Sequence, residues 1–578
     1  MKKIIISLLV VVATAAIGAG VFFVISSKGD KTEEQKSAPS KAFSEDFVVL
    51  INIKQLVEKG ELLKLIEPEQ RQLYATLLAA NVDDKDADYV KSAIMDFTKT
   101  GFSINKPAYA YLREIDSKTA QGAIVIDVDD ANNVDCLFEV LKNNGADLDI
   151  THNGDMRLIN CDDFDDEVAI GYNSERFIIS TSEEMLNNAF ETADPDFGFF
   201  GNRDFVIWAD INAFFDLIEQ YYRSNIEELE EDAYYNEWAE QMIETNKAQL
   251  AQLNESRKTL NANASLTMGL TFEEGRIKFD CNVDGIATTA DNPIKMVDNK
   301  HLAYIPYDTF AVANLGIDGA KLAKTLNNIL TEDIAAQYGM NTTEYAATKE
   351  IVSSVLNSMN GDLTIAANKM QGYSIDDEPY FEACAAVDVI DRYIISNVGM
   401  FAQGFAVETG ADAYEASLDG NDLYFGQQGN TIYASINTEF KEHHMSALDA
   451  RWAESVKDTY NYLLLDVNNL MEQSYVKAAL SSVKRMMSYE IYNSIMDIIN
   501  MIDYAYFATR SVGNAEFAIV LKDKNNNSLS IISNKAMEIA PKIVNMNADY
   551  DDEYYYEDEY YEDDVEATGA TNTEADVW

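Results

Sequence analysis

The sequence predicts an α+β protein: two related halves of antiparallel, hairpin-rich sheet packed with helices, plus one N-terminal transmembrane or signal helix. Three observations lead there. From Phe43 onward, short apolar runs of strand character alternate with amphipathic helical stretches. Several of these runs pair across a polar turn, the signature of hairpins. The same order of features then recurs later in the 578-residue chain.

The first element is "MKKIIISLLVVVATAAIGAGVFFVISSKGDK". Lys2 and Lys3 precede 22 uncharged residues, 4–25, enough to cross the roughly 30 Å hydrocarbon layer as a helix. "ATAA" offers small residues for cleavage, but "VFFVI" continues the apolar run. Residues 1–26 therefore read as an uncleaved signal-anchor in preference to a cleaved signal peptide. The leading lysines place the N-terminus in the cytoplasm and the rest of the chain outside it; Lys28 and Lys31 weaken that bias without reversing it. No cysteine closes the run, so there is no lipoprotein acylation site. Residues 27–43 form a flexible polar tether.

The first half spans 44–295 and the second 296–545. Each opens on a strand and an amphipathic helix, "FVVLINIKQLVEKG" at Phe47 and "FAVANLGIDGAKLAKTL" at Phe310. A glycine-led strand follows, at Gly101 and at Gly361. Next comes an apolar strand ending in acid before a helix, "AIVIDVDDANNVDCLFEVL" beside "AAVDVIDRYIISNVGMFA". Hairpins sit around Gly171 and Gly426. "FVIWADINAFFDLIEQ" and "YLLLDVNNLMEQ" then share Asp-x-Asn, as Asp210/Asn212 and Asp466/Asn468. A second hairpin closes each half, "ASLTMGLTFEEGRIKFDCNV" and "AEFAIVLKDKNNNSLSIIS". The lag between matched landmarks shrinks slowly from 263 residues (Phe47 to Phe310) to 251 (Gly275 to Asn526). Six landmarks in one order point to an internal duplication.

After Asp210, Tyr222, Ile226, Leu229, Ala233, Trp238 and Met242 recur at helical spacing, with eight acids and no Lys or Arg over 224–246. That pattern reads as a long helix with a solvated acidic face. Residues 546–578 hold thirteen acids and six tyrosines without Lys or Arg, and read as a disordered, solubilising tail; the alternative is a segment that engages a basic partner or collects divalent cations weakly.

Strand-to-helix corners carry a short polar residue at Asn52, Asp129, Asp210, Asp318, the Asp388/Asp391 pair and Asp466. Such a side chain accepts hydrogen bonds from the free amides of the first helical turn and suits the positive end of the helix dipole. Asp-x-Asn is therefore read as architecture and not as paired catalytic acids.

A net charge of −54 repels phosphate backbones and excludes nucleic acid as a partner. Cys136, Cys161, Cys281 and Cys384 lack C-x-x-C spacing and are expected to be buried, inert thiols; Cys136–Cys161 pairing in an oxidising compartment stays open. His152, His301, His443 and His444 adjoin no Ser or Cys motif, and adjacent His443 and His444 point apart too much to share a metal with Glu442. "DVDDANNVDCLFE" lacks the glycine and glutamate of a calcium loop. No catalytic, cofactor-binding or metal-binding residue is assigned, and no cofactor is expected.

The Lys-Lys apolar anchor, "FVVLINIKQLVEKG" and the second strand-helix start at Phe310 resemble an envelope protein family of the Bacteroidetes, domain of unknown function 4836, over most of 44–540. Many of its members look like lipoproteins with an N-terminal cysteine, which this chain lacks. The resemblance implies compartment and architecture, and brings no activity or catalytic residue. The expectation is a membrane-tethered, extracytoplasmic, non-enzymatic binding or scaffold protein, anchored in the inner membrane with its bulk in the periplasm. Secretion after signal cleavage is the alternative location. Its partner would be an envelope protein or polymer held between the halves. The alternative function is a hydrolase that cuts an envelope polymer with two carboxylates, distinguishable by converging carboxyl groups of raised pKa.

Overall fold

The computed structural model describes residues 43–61, 82–113 without 84, 121–161, 168–232, 237–286 without 259, 292–329 without 307, 341–374, 379–391, 394–395, 406–418, 421–437, 450–511 and 513–539, with Gln72 and Ala79. The N-terminal helix, the tether and the acidic tail fall outside these residues. Among the described residues no helix is long and apolar enough to cross a membrane.

Among the described residues twenty strands form one antiparallel sheet. The first ten are β1 (Phe47–Ile51), β2 (Ala108–Arg113), β3 (Gln121–Asp127), β4 (Leu148–Asn153), β5 (Met156–Cys161), β6 (Ala169–Tyr172), β7 (Arg176–Ser180), β8 (Phe205–Asp210), β9 (Leu260–Glu273) and β10 (Arg276–Ile286). The second ten are β11 (Ala311–Asp318), β12 (Met359–Gln371), β13 (Tyr380–Val389), β14 (Ala406–Gly410), β15 (Ala413–Leu418), β16 (Asn421–Gln428), β17 (Thr431–Ile436), β18 (Asn461–Asp466), β19 (Ile502–Ser511) and β20 (Asn514–Leu521).

In the first set the strands lie β4-β5-β6-β7-β3-β2-β1-β8-β9-β10. In the second they lie β14-β15-β16-β17-β13-β12-β11-β18-β19-β20. Each strand of one set has a counterpart ten strands later with the same neighbours. The sets join where β10 pairs with β20, from Arg276 opposite Val520 to Asn282 opposite Asn514.

Alternation along the strands decides the layers. Val48, Leu50, Tyr109, Tyr111, Val125, Ile178, Val206 and Trp208 point to one side and pack with Leu186 of the helix Glu183–Glu191. Val312, Ala366, Leu464, Tyr506 and Ala518 do the same in the second set, under Trp452 and Val456 of the helix Ala450–Val456. Each large side chain buried this fully stabilises the fold by about 1.5–3 kcal/mol. On the opposite side, Ile211 and Phe214 of the helix Ile211–Asp232 cover Phe47, Leu112, Ala209 and Leu266.

The long acidic helix is two helices, Ile211–Asp232 and Glu237–Arg257, packed on one another. Tyr222, Ile226 and Leu229 are half-buried, whereas Trp238 is exposed and Ala239 and Ile243 are buried in its place. Glu227, Glu228, Glu230, Glu240 and Glu244 face solvent.

One hairpin is displaced from its expected position. "AEFAIVLKDKNNNSLSIIS" is β20 followed by a turn and a helix over 528–539, and the second closing hairpin is β19–β20, turning between Ser511 and Asn514. The polar run misled because Asp523 accepts the amides of Asn525 (2.9 Å) and Asn526 (3.3 Å), and Asn527 then accepts that of Leu529 (3.0 Å). Asparagines here start a helix. The segment between the halves is strapped to the second set by backbone bonds from Lys295 to Gly316 (3.1 Å) and Val297 to Thr459 (2.9 Å).

Candidate functional site

The Asp-x-Asn pairs resolve into two tasks. Asp210 accepts the amides of Asn212 (2.9 Å) and Ala213 (3.4 Å), and Asp466 accepts that of Asn469 (2.9 Å). The asparagines reach sideways to the opening of the neighbouring strand. Asn212 donates to the carbonyls of Asn261 (3.2 Å) and Ala262 (3.0 Å) on β9, and Asn468 to the Asp503 carboxylate (3.0 Å) on β19. Asn52 and Asp318 cap their helices through Gln55 (3.2 Å) and Lys321 (3.2 Å).

Asp129 is not the cap of the helix Ala131–Asn143. Asp130 takes that role through Asn132 (2.9 Å), while the Asp129 amide bonds Gly101. Asp388 is not a cap either. It lies buried within β13, where its carboxylate meets Lys300 Nζ (2.5 Å), Thr431 Oγ1 (3.3 Å) and the Asp362 amide (3.3 Å). His301 Nε2 stands 3.1 Å from Asp388 Oδ1 but too obliquely for a hydrogen bond, and neither ring nitrogen has a hydrogen-bond partner. Asp362, on β12, accepts the amides of Asp298 (3.1 Å) and Asn299 (2.8 Å) and the Asn314 side chain (3.3 Å), and Tyr462 closes the network on Asn299 (2.8 Å). Burial pushes the His301 pKa down and that of Asp362 up. This cluster is too enclosed to receive a ligand, and it fixes the segment between the halves.

A cavity of about 310 Å³ opens in the first set. Its walls are Phe43–Glu45, Val48 of β1, Tyr109 and Tyr111 of β2, and the loop 192–196. Strand alternation aims both tyrosines to the same side, and Phe43 seats the entering chain edge-on against Phe199 (5.0 Å) and Trp208 (5.2 Å). Arg176 shapes the loop by donating to the Ala189 (3.0 Å) and Thr192 (2.6 Å) carbonyls and to Asp194 (2.6 Å). Tyr109 donates to Asp194 at 3.3 Å. Glu45 is held by Arg113 at 2.6 Å. Burial raises the Glu45 carboxyl, but hydrogen bonds from Ser44 and Arg113 outweigh it and leave the pKa below its ordinary value. Burial raises the Tyr109 and Tyr111 hydroxyls, so both stay protonated donors.

Glu45, Asp194 and Asp196 supply acceptors, the tyrosines add hydroxyls, and among the described residues no Lys or Arg lines the space. Its size is that of a small-ligand pocket. It is built from residues 43–196 alone, whereas the sequence pointed to the space between the halves.

The remaining candidates lie elsewhere. His152 is exposed on β4, and His443, His444 and Glu442 fall outside the described residues. Cys136, Cys281 and Cys384 are free thiols. Cys384 is buried as expected, but Cys136 is exposed, on the outer side of its helix. Among the described residues no cluster of His, Cys, Asp and Glu could hold a metal ion.

No curated protein and no solved structure matches the chain. The family model described as Domain of unknown function (DUF4836) matches residues 42–529.

Proposed function

Since this chain belongs to the DUF4836 family, whose description carries no activity, we propose its role from the cavity: a non-enzymatic binding protein of the bacterial envelope. The ligand is small, rich in N–H and O–H donors and free of negative charge, as the acceptor-lined wall favours. The observation that carries this reading is the state of the cavity's carboxylates. A two-carboxylate hydrolase needs one acid of raised pKa facing the other. Here Glu45 is lowered and tied to Arg113, and Asp194 is tied to Arg176.

We further read the chain as a Bacteroidetes envelope protein, tethered by residues 1–26 and displayed on the periplasmic side, with 546–578 as a solubilising tail. The two ten-strand sets are an internal duplication, a reading supported by their identical strand order and by the matched Asp-x-Asn locks. The tether enters beside the cavity at Phe43, so a ligand there would sit near the membrane.

A thermal-shift series on the detergent-solubilised full chain tests the binding role, with chitobiose and spermidine against citrate. Stabilisation by either of the first two, absent with citrate and lost on filling the mouth by Ala193→Trp, is expected. Cleavage of an oligosaccharide that stops with Glu45→Gln would instead establish the hydrolase.

A further inference from the structure

The sheet carries an apolar surface that neither the cavity nor the helices use. Phe279 of β10, Phe517 of β20, Phe507 of β19, Leu463 of β18 and Ile365 of β12 fall in one row across the strands, with Ala313 of β11 between the last two. All five large side chains point away from the core and are between 41% and 54% exposed. The adjacent row, from Ile277 through Ile519 and Leu465 to Ala367, is in register with it, and neither row holds a charged residue.

This inverts the ordinary pattern of a half-solvated antiparallel sheet, in which polar side chains face water. On β10 the charges lie on the opposite side, where Arg276 pairs with Glu273 and Asp280 with Arg203 (2.6 Å). In the first set the helix Ile211–Asp232 covers the corresponding side. Among the described residues the second set has no such cover over this row.

We infer that this face is the self-association surface of the protein, packed against the same face of a second copy. Two features select that occupant. The net charge of −54 opposes contact between copies, and the two rows, free of charged residues, are where like-charge repulsion is weakest. The area also suits a dimer. With roughly 200 Å² per large side chain, the five leave roughly 450 Å² open on each copy, and the flanking row takes the pair past the ~1,000 Å² of a specific interface. A two-fold axis running along the row, between the two copies, sets each residue of the row opposite the same residue of the other copy. Sheet would pack on sheet about 10 Å apart.

Full-length Phe507→Cys and Leu463→Cys variants are oxidised in membrane vesicles, with wild-type Cys136, exposed on the helix Ala131–Asn143 of the first set, as the internal reference. A disulfide-linked species of twice the chain mass is expected for both variants and at least tenfold less through Cys136. Adding Phe517→Glu to Leu463→Cys should cut the cross-link at least tenfold while the thermal midpoint stays within a few degrees. Cross-linking at residue 507 no stronger than through Cys136 overturns the inference. A product of any mass other than twice the chain, or a cross-link indifferent to Phe517→Glu, overturns it as well.

Discussion

Asp210 and Asp466 occupy matching corners, yet removing them should cost different amounts. Asp210 is half-exposed and caps two amides, so Asp210→Ala should lose about 1 kcal/mol. Asp466 is fully buried, caps Asn469 and also pairs with Arg451. Breaking a fully buried ion pair costs about 3–5 kcal/mol, but Arg451 is a third exposed and keeps Asp503 at 3.3 Å. Discounted for that, the pair adds about 1–2 kcal/mol to the cap, and Asp466→Ala should lose about 2–3 kcal/mol. Asp466→Asn keeps an acceptor for the Asn469 amide and should lose about half as much. Hydrogen exchange reads this locally. Protection of the Asn212 amide should fall about fivefold in Asp210→Ala, and that of Asn469 about seventyfold in Asp466→Ala. Equal losses at the two corners, or an asparagine no better than alanine at 466, would refute the division into cap and buried pair.

The buried cluster should set the pH range of stability. Burial raises Asp362, so its contribution is full below its unfolded value of about 3.8 and is lost as pH rises through the folded value. Burial lowers His301, so its contribution is full above 6.5 and is lost as pH falls toward the folded value. In urea unfolding, the advantage of wild type over Asp362→Asn should shrink with rising pH, and that over His301→Leu with falling pH; either trend reversed sinks the assignment. Gly316→Ala should lose more than about 2 kcal/mol in the same assay, because a Cβ there would stand 2.0 Å from the carbonyl of Lys295, whose amide straps the segment between the halves to the second set. A loss under about 0.5 kcal/mol would show that the strap yields.

What the chain disclosed beforehand was local. Asn52, Asp210, Asp318 and Asp466 were legible as caps because a cap needs only an acceptor and amides two or three residues away. Asp129 and Asp130 compete at one corner, and the amides of both bond the carbonyl of Gly101, far earlier in the chain. Asp388 looked like another cap because its partners, Lys300 and His301, come from nearly ninety residues away. Cys136 falls on the apolar side of a helical pattern, but that helix buries Val134 and Val140 instead. The cavity was least accessible of all, since it joins residues near 45, 110 and 195 and no stretch of sequence contains as much as half of it.

The β10–β20 ladder has a consequence for how the molecule can be divided. Strands at the ends of a sheet expose unpaired amides and carbonyls, and here those edges are β4 and the short β14. Separating the chain between its halves would create two more, with the seven paired positions from Arg276 to Asn282 suddenly vacant on one fragment and their complement on the other. Each fragment would be a template for the other and for itself. The junction therefore makes the two sets obligate companions.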